Sequence, residues 1–229
     1  MSRPATPGTW PGTVDEHIAP RLSTSALLII DAQVDFVDGG VSPVEGTTAI
    51  VPALVTLWSA FRQADLPIIH VVRMYQGVDV DRVRRTAVAG GAQLVAVGSS
   101  GAQVVPELRP EGSAEPAADR LLAGELVEVG PGEVVLWKPR WSAFYRTRLD
   151  EHLASLAVDT VVVAGCNFPN CPRATIYDSS EYDYRVLVAS DAVSGVTPMH
   201  LDELGAIGVL HAGTRTIVAA MKMLPAISP

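Results

Sequence analysis

Three side chains that could together perform acyl transfer stand far apart in the chain: Asp31, Lys138 and Cys171. A thiol attacks a carbonyl carbon once it has lost its proton, a carboxylate can take that proton, and an ammonium group can hold both anions in place. Cys171 carries the strongest local signal. An apolar run, Thr160 to Ala164, stops at Gly165, and Cys166-Asn167-Phe168-Pro169-Asn170 then turns the chain before Cys171-Pro172-Arg173. Proline suits the first turn of a helix and disfavours a helical backbone at the residue before it, which predicts Cys171 at a helix N-cap. The positive end of the helix dipole would lower the pKa of a thiol there. The plain alternative is a free cysteine packed as a small hydrophobe. Cys166 suggests a disulfide or a metal pair, but no second cysteine pair and no histidine at ligand spacing accompany it.

The elements that must position these residues alternate. Ser25–Ile30 is a short apolar run ending at Asp31, read as a buried strand, and Ile50, Leu54, Leu57 and Phe61 follow at helical spacing. Pro67–Val72 is a second strand ending at Arg73, and a strand, a helix and a strand in that order form a right-handed parallel crossover. Residues 76–131 are rich in Gly, Ala and Pro, with a short helix predicted near Asp81–Ala89. They read as a partly ordered excursion over one edge of the sheet. Glu133–Trp137 is a strand ending at Lys138, and Thr147 with Asp150 predicts a capped helix start. Further strands are expected through Val163, at Arg185–Ala189 and at Thr214–Val218, with helices from Pro172 and over His200–Ala212. The expected fold is α/β, a three-layer α/β/α sandwich around a doubly wound, largely parallel six-stranded sheet of Rossmann-like type. Ligands bind such sheets at the carboxyl ends of the strands, where Asp31, Lys138 and Cys171 all arrive.

The chain of 229 residues, with no charged or Ser/Gly-rich linker, reads as an N-terminal extension (1–24) and a single domain (25–229). A net charge of -8 without a basic run argues against a nucleic-acid surface. No segment has the length of a membrane span or the apolar core of a signal peptide, and two cysteines fit a reducing compartment, so a cytoplasmic location is expected. A hydrophobic content of 48% suggests apolar surface covered by a second copy, as a homodimer or homotetramer.

Asp31-Ala32-Gln33-Val34-Asp35-Phe36, then Lys138-Pro139-Arg140-Trp141-Ser142-Ala143-Phe144-Tyr145, then Gly165 followed six residues later by Cys171, with Thr175 and Asp178 beyond, resemble the isochorismatase-like cysteine hydrolases. The resemblance runs from about Ser25 to Val218. It implies an Asp-Lys-Cys triad on Asp31, Lys138 and Cys171 that hydrolyses a C–N bond of an amide, carbamoyl, ureido or lactam compound through a Cys171 thioester. It also implies a cis non-proline peptide near Cys166-Asn167, and no cofactor. The turn departs from the family's usual small residues and Thr before the nucleophile, which points to a subgroup with its own small-molecule substrate. The family's metal-binding nicotinamidases use an Asp and two His after the second strand; Arg73–Arg85 offers Asp79 and Asp81 but no histidine, so no metal site is expected. Two other readings stay open: an enol ether hydrolase with Asp31 as the acid, or a catalytically silent binding protein on the same fold.

Reference values for a thiol and a carboxylate differ by about 4.6 units, so proton transfer from Cys171 to Asp31 is uphill by roughly 6 kcal/mol unless the site narrows the gap. Backbone N–H groups at Asn167 and Cys171 are the candidate oxyanion donors. For substrate contacts the candidates are Phe36, Trp141, Phe144 and Asn170, together with Arg73, which could either fork onto a substrate carboxylate or close a surface ion pair. His70, inside a strand, reads as a hydrogen-bonded core residue.

Overall fold

The computed structural model describes Trp10 and residues 14–77 and 79–223; residues 1–9 of the N-terminal extension lie outside them, as do 11–13. Seven strands form one sheet: β1 (Ser25–Ile30), β2 (Ile68–Val72), β3 (Leu126–Gly130), β4 (Glu133–Trp137), β5 (Thr160–Gly165), β6 (Arg185–Val193) and β7 (Leu210–Ala212). Their order is β3-β4-β2-β1-β5-β6-β7, with β3 antiparallel to β4 and every other neighbour parallel. The doubly wound α/β fold class holds, with one strand more than expected. Among the described residues no helix is long and apolar enough to cross a membrane.

Among the described residues seven α-helices accompany the strands: α1 (Thr47–Gln63), α2 (Arg85–Ala89), α3 (Ala118–Leu122), α4 (Leu149–Ser155), α5 (Cys171–Glu181), α6 (Pro198–Gly205) and α7 (Thr214–Met221). Strand alternation sorts the core between two faces. Leu27 and Ile29 of β1 and Val162 and Ala164 of β5 meet Leu54, Leu57 and Phe61 of α1 and Ile217 of α7. Leu28, Ile30, Val161 and Val163 face Leu149 and Leu153 of α4, Ile176 of α5 and Leu204 of α6. The residues of β1 and β5 are buried throughout, as their unbroken apolar runs require for strands covered on both sides.

Several expectations change. The 76–131 excursion ends in a strand, β3, whose half-buried residues at the sheet edge lack the unbroken apolar run that marks the central strands. Thr214–Val218 is part of α7, not a strand. Its β-branched residues read as extended in isolation, yet Thr214, Ile217 and Met221 are buried at helical spacing, and Asp191 holds the first turn by accepting from Thr214 N at 2.7 Å and Thr214 Oγ1 at 2.6 Å. The helix expected over His200–Ala212 ends at Gly205, and the chain then turns into β7. Thr147 and Asp150 form no capping box at α4: the Thr147 hydroxyl accepts from Leu149 N, the first residue of the helix, at 3.3 Å and donates to Ala143 O, but Asp150 accepts from Tyr184 Oη at 2.8 Å. A capping box forms instead at α6, between Thr197 and His200.

Candidate active site

The strand order reverses between β1 and β5, because the chain runs from β1 out to β4 and β3 and then returns to the other side of β1. Such a reversal opens a crevice at the carboxyl ends of the strands. In register, Ile30 of β1 lies beside Gly165 of β5. Gly165 has φ +115, and a Cβ there would run into the backbone of Ile30, so only glycine lets the two strand ends close on one another. Asp31 leaves β1 with φ +49, unusual for a residue with a side chain, its N–H held by Val71 O at 2.8 Å.

Lys138 leaves β4 with its N–H on Val72 O, and its fully buried ammonium donates to Asp31 Oδ2 at 2.9 Å. A buried pair of this kind holds a fixed geometry, since removal of either partner strands the other charge. Asp31 Oδ1 is buried with no hydrogen-bond partner among the described residues. Cys171 is the first residue of α5, one position later than expected, because Asn170 supplies the non-helical cap and Pro172 is tolerated in the first turn. Thr175 fastens the first turn of α5 to the Lys138 loop: its hydroxyl donates to Cys171 O at 2.8 Å and accepts from Ala143 N at 3.0 Å.

The turn before Cys171 contains no cis peptide; the chain reverses through Gly165 and through Asn170 at φ -116, ψ -97. Cys166 N donates to Ile30 O, Phe168 N to Ser194 O and Asn170 N to Asn167 O. The N–H groups of Asn167 and Cys171 donate to no acceptor among the described residues.

Arg73, at the end of β2, is 2% exposed and already engaged. Its Nη1 donates to Asp81 Oδ2 and its Nη2 to Arg140 O at 2.6 Å, with Cys171 Sγ 3.5 Å from the same Nη2. It is neither a surface charge nor a free fork, because Asp81 takes one limb and the sulfur and a carbonyl take the other. Tyr75 Oη donates to the same Asp81 oxygen at 2.8 Å, and Gln33 brackets the strand end by accepting from Arg73 N and donating to Arg73 O, both at 2.8 Å. The guanidinium pKa lies above its ordinary value: burial opposes the charge, but Asp31, Cys171, Tyr75 and Asp81 more than offset it.

The Cys171 thiol is pushed up to about 11, first by burial and then by Asp31, against the opposing pull of Lys138 and Arg73. This reverses the expectation of a thiol acidified by the helix terminus. Desolvation of the anion and the neighbouring carboxylate outweigh the dipole.

A cleft of about 30 Å³ gathers Asp31, Phe36, Arg73, Trp141, Asn167, Asn170 and Cys171, with Tyr75, Asp81 and Arg84 on its wall. Lys138 lies beneath, reached through Asp31. Phe144 is elsewhere: it stacks on Tyr182 with ring centroids 5.0 Å apart and packs in the core on the α4 and α5 side. Sequence reasoning missed Gln33 and the roles of Asp81 and Arg84. Gln33 had a usable signal, since it stands two residues beyond Asp31 on the same strand exit. Asp81 had none, because its partner is brought to it only by the path of the excursion.

The family model of the isochorismatase domain matches residues 25–214. A probable inactive nicotinamidase of Arabidopsis thaliana is 34% identical over 185 residues, covering 79% of this chain and 86% of its own. A ureidoacrylate amidohydrolase, RutB, of Methylorubrum extorquens is 30% identical over 194 residues, covering 82% of this chain and 77% of its own. The crystal structure of an isochorismatase family protein from Desulfovibrio vulgaris superposes with a TM-score of 0.73 at 32% identity, covering 87% of this chain and 98% of that one.

Proposed function

Because the chain belongs to the isochorismatase family, whose members include hydrolases of amide-type C–N bonds, we propose that it is a cysteine amidohydrolase acting on a small molecule through a Cys171 thioester. The observation that carries this reading is the state of Asp31. One carboxylate oxygen is fixed by Lys138, and the other, in the same cleft as Cys171, is buried without a partner among the described residues. A thiol with a pKa near 11 is mostly protonated at neutral pH and needs a base at hand.

Asp31 takes the Cys171 proton as the sulfur attacks the substrate carbonyl. The new C–S bond forms while the carbonyl electron pair moves to oxygen, where the N–H groups of Asn167 and Cys171 receive it, each worth on the order of 3 kcal/mol. Collapse of that intermediate breaks the C–N bond, and Asp31 returns the proton to the leaving nitrogen. A water molecule, deprotonated by Asp31, then attacks the thioester, releasing the acid and restoring the thiol. Arg73 serves the sulfur rather than the substrate: its guanidinium beside Sγ stabilises the thiolate, while Lys138 keeps the carboxylate in place. Phe36, Trp141 and Asn170 form the substrate wall.

Intact-mass measurement of the protein with primary amides, N-carbamoyl amino acids, ureido acids and lactams tests this. An acyl adduct is expected on Cys171, with loss of both adduct and turnover in Cys171→Ala. Turnover of the variant at near the wild-type rate would refute the nucleophile. A silent protein on the same fold is the second reading, favoured by the relative described as probable inactive; absence of adduct and turnover across the whole panel would select it.

A further inference from the structure

Beyond the cleft, the structure contains a larger cavity, about 90 Å³, lined by His70, Val72, Met74, Leu108, Leu121 and Val135 among others. It lies on the α1 face of the sheet. There α1 and α7 cover β1, β5 and β6, whereas over β2, β4 and β3 the cover is the coil on either side of Leu108, with α3. Coil rich in Gly, Ala and Pro packs a sheet face less completely than a helix does, and a chamber remains.

One polar group in it is unpaired. His70 is 2% exposed, and its Nε2 lies 2.6 Å from Glu133 Oε1, an oxygen that also accepts from Trp58 Nε1 at 2.6 Å. A carboxylate only accepts, so Nε2 bears a proton and donates to Glu133, which leaves Nδ1 as the ring nitrogen open to a ligand. That Nδ1 has no hydrogen-bond partner among the described residues. Glu133, itself fully buried, clamps the ring at Nε2.

We propose that this chamber is a binding site for a small, largely apolar aromatic molecule bearing one hydroxyl, a phenol-like compound whose hydroxyl hydrogen-bonds His70 Nδ1. The apolar part of the wall, Val72, Met74, Leu108, Leu121 and Val135, takes the ring and Nδ1 sets its orientation, while Gln103, Arg109 and Glu115 supply a polar margin. The site stands apart from the chemistry at Cys171, so its test does not depend on any substrate.

Phenol and toluene, alike in shape but not in hydrogen bonding, are the probes, measured by calorimetric titration and thermal unfolding of the full chain. Phenol is expected to bind one per chain and raise the unfolding temperature, with toluene at least tenfold weaker. The nitrogen chemical shift of His70 Nδ1 should move on phenol addition. Ala118→Phe, which adds a ring to the chamber wall from half-buried α3, should weaken phenol at least tenfold while the protein stays folded. Equal affinity for the two probes, no binding of either, or phenol affinity unchanged in Ala118→Phe would each overturn the assignment.

Discussion

Two separate cavities flank the end of β2, and neighbouring residues open onto different ones. Arg73 and Tyr75 line the cleft at Cys171; His70, Val72 and Met74 line the chamber beneath the excursion. In the cleft, charged groups fill most of the room. Lys138 is held by Asp31 and Arg73 by Asp81, and about 30 Å³ remains. The chamber is three times larger, and its buried imidazole has one nitrogen unpaired. The volume of a cavity therefore does not mark where covalent chemistry is possible. Charges brought together need partners on every side, and those partners occupy the space; apolar walls impose no such demand.

The largest expected effect separates the two. Cys171→Ala should reduce amide turnover by at least about a thousandfold while phenol affinity stays within twofold of wild type; a variant that loses both would mean that the cavities are one functional unit. Arg73→Met comes next. In a Cys166→Ala background, alkylation of Cys171 by iodoacetamide at pH 8 should slow by about tenfold to a hundredfold, with kcat falling more than KM rises. If KM alone changes, Arg73 contacts substrate and not sulfur.

The loop after β4 offers a finer contrast. Phe144→Ala should cost about 3–5 kcal/mol in denaturant unfolding with KM unchanged, because the ring belongs to the core. Trp141→Ala, at a residue 37% exposed beside the cleft, should raise KM severalfold with stability altered by about 0.5 kcal/mol or less. The smallest effect is in pH. Burial raises Cys171 to about 11 and Cys166 to about 12 from an ordinary 9.0, so both thiols keep their protons in the native protein while those of the unfolded chain ionise. The stability they confer is complete below pH 9 and is lost as pH rises through about 11 and 12. Denaturant unfolding between pH 8.5 and 11 should show a shallower decline in the double Cys→Ala variant than in the wild type.

The central part of this molecule was legible in its residues because burial on both faces demands long apolar runs: β1 and β5 have them, and β2 and β4 depart from them only at His70 and Glu133. Asp31, Lys138 and Cys171 could be placed at one edge because each directly follows a strand or the turn after one. What could not be read depends on the excursion. Edge strand β3 has no buried run to announce it, the grip of Asp81 on Arg73 depends on a path that no periodicity encodes, and Phe144 differs from Trp141 only in the direction its loop takes. The acidity of Cys171 was misjudged because a helix terminus is visible in the residues, whereas the desolvation that opposes it is set by packing.

The place of β1 in the sheet also has a consequence for synthesis. Its residues leave the ribosome well before those of β5 and can pair with β2 soon afterwards, yet the strand on its other side is β5, and the thiol follows β5. Until β5 has been made, one edge of a wholly apolar strand has no neighbour, which is the condition under which nascent chains aggregate or recruit chaperones. Production should therefore respond to anything that delays elongation between Val72 and Thr160, and fragments ending before Thr160 should accumulate as insoluble material.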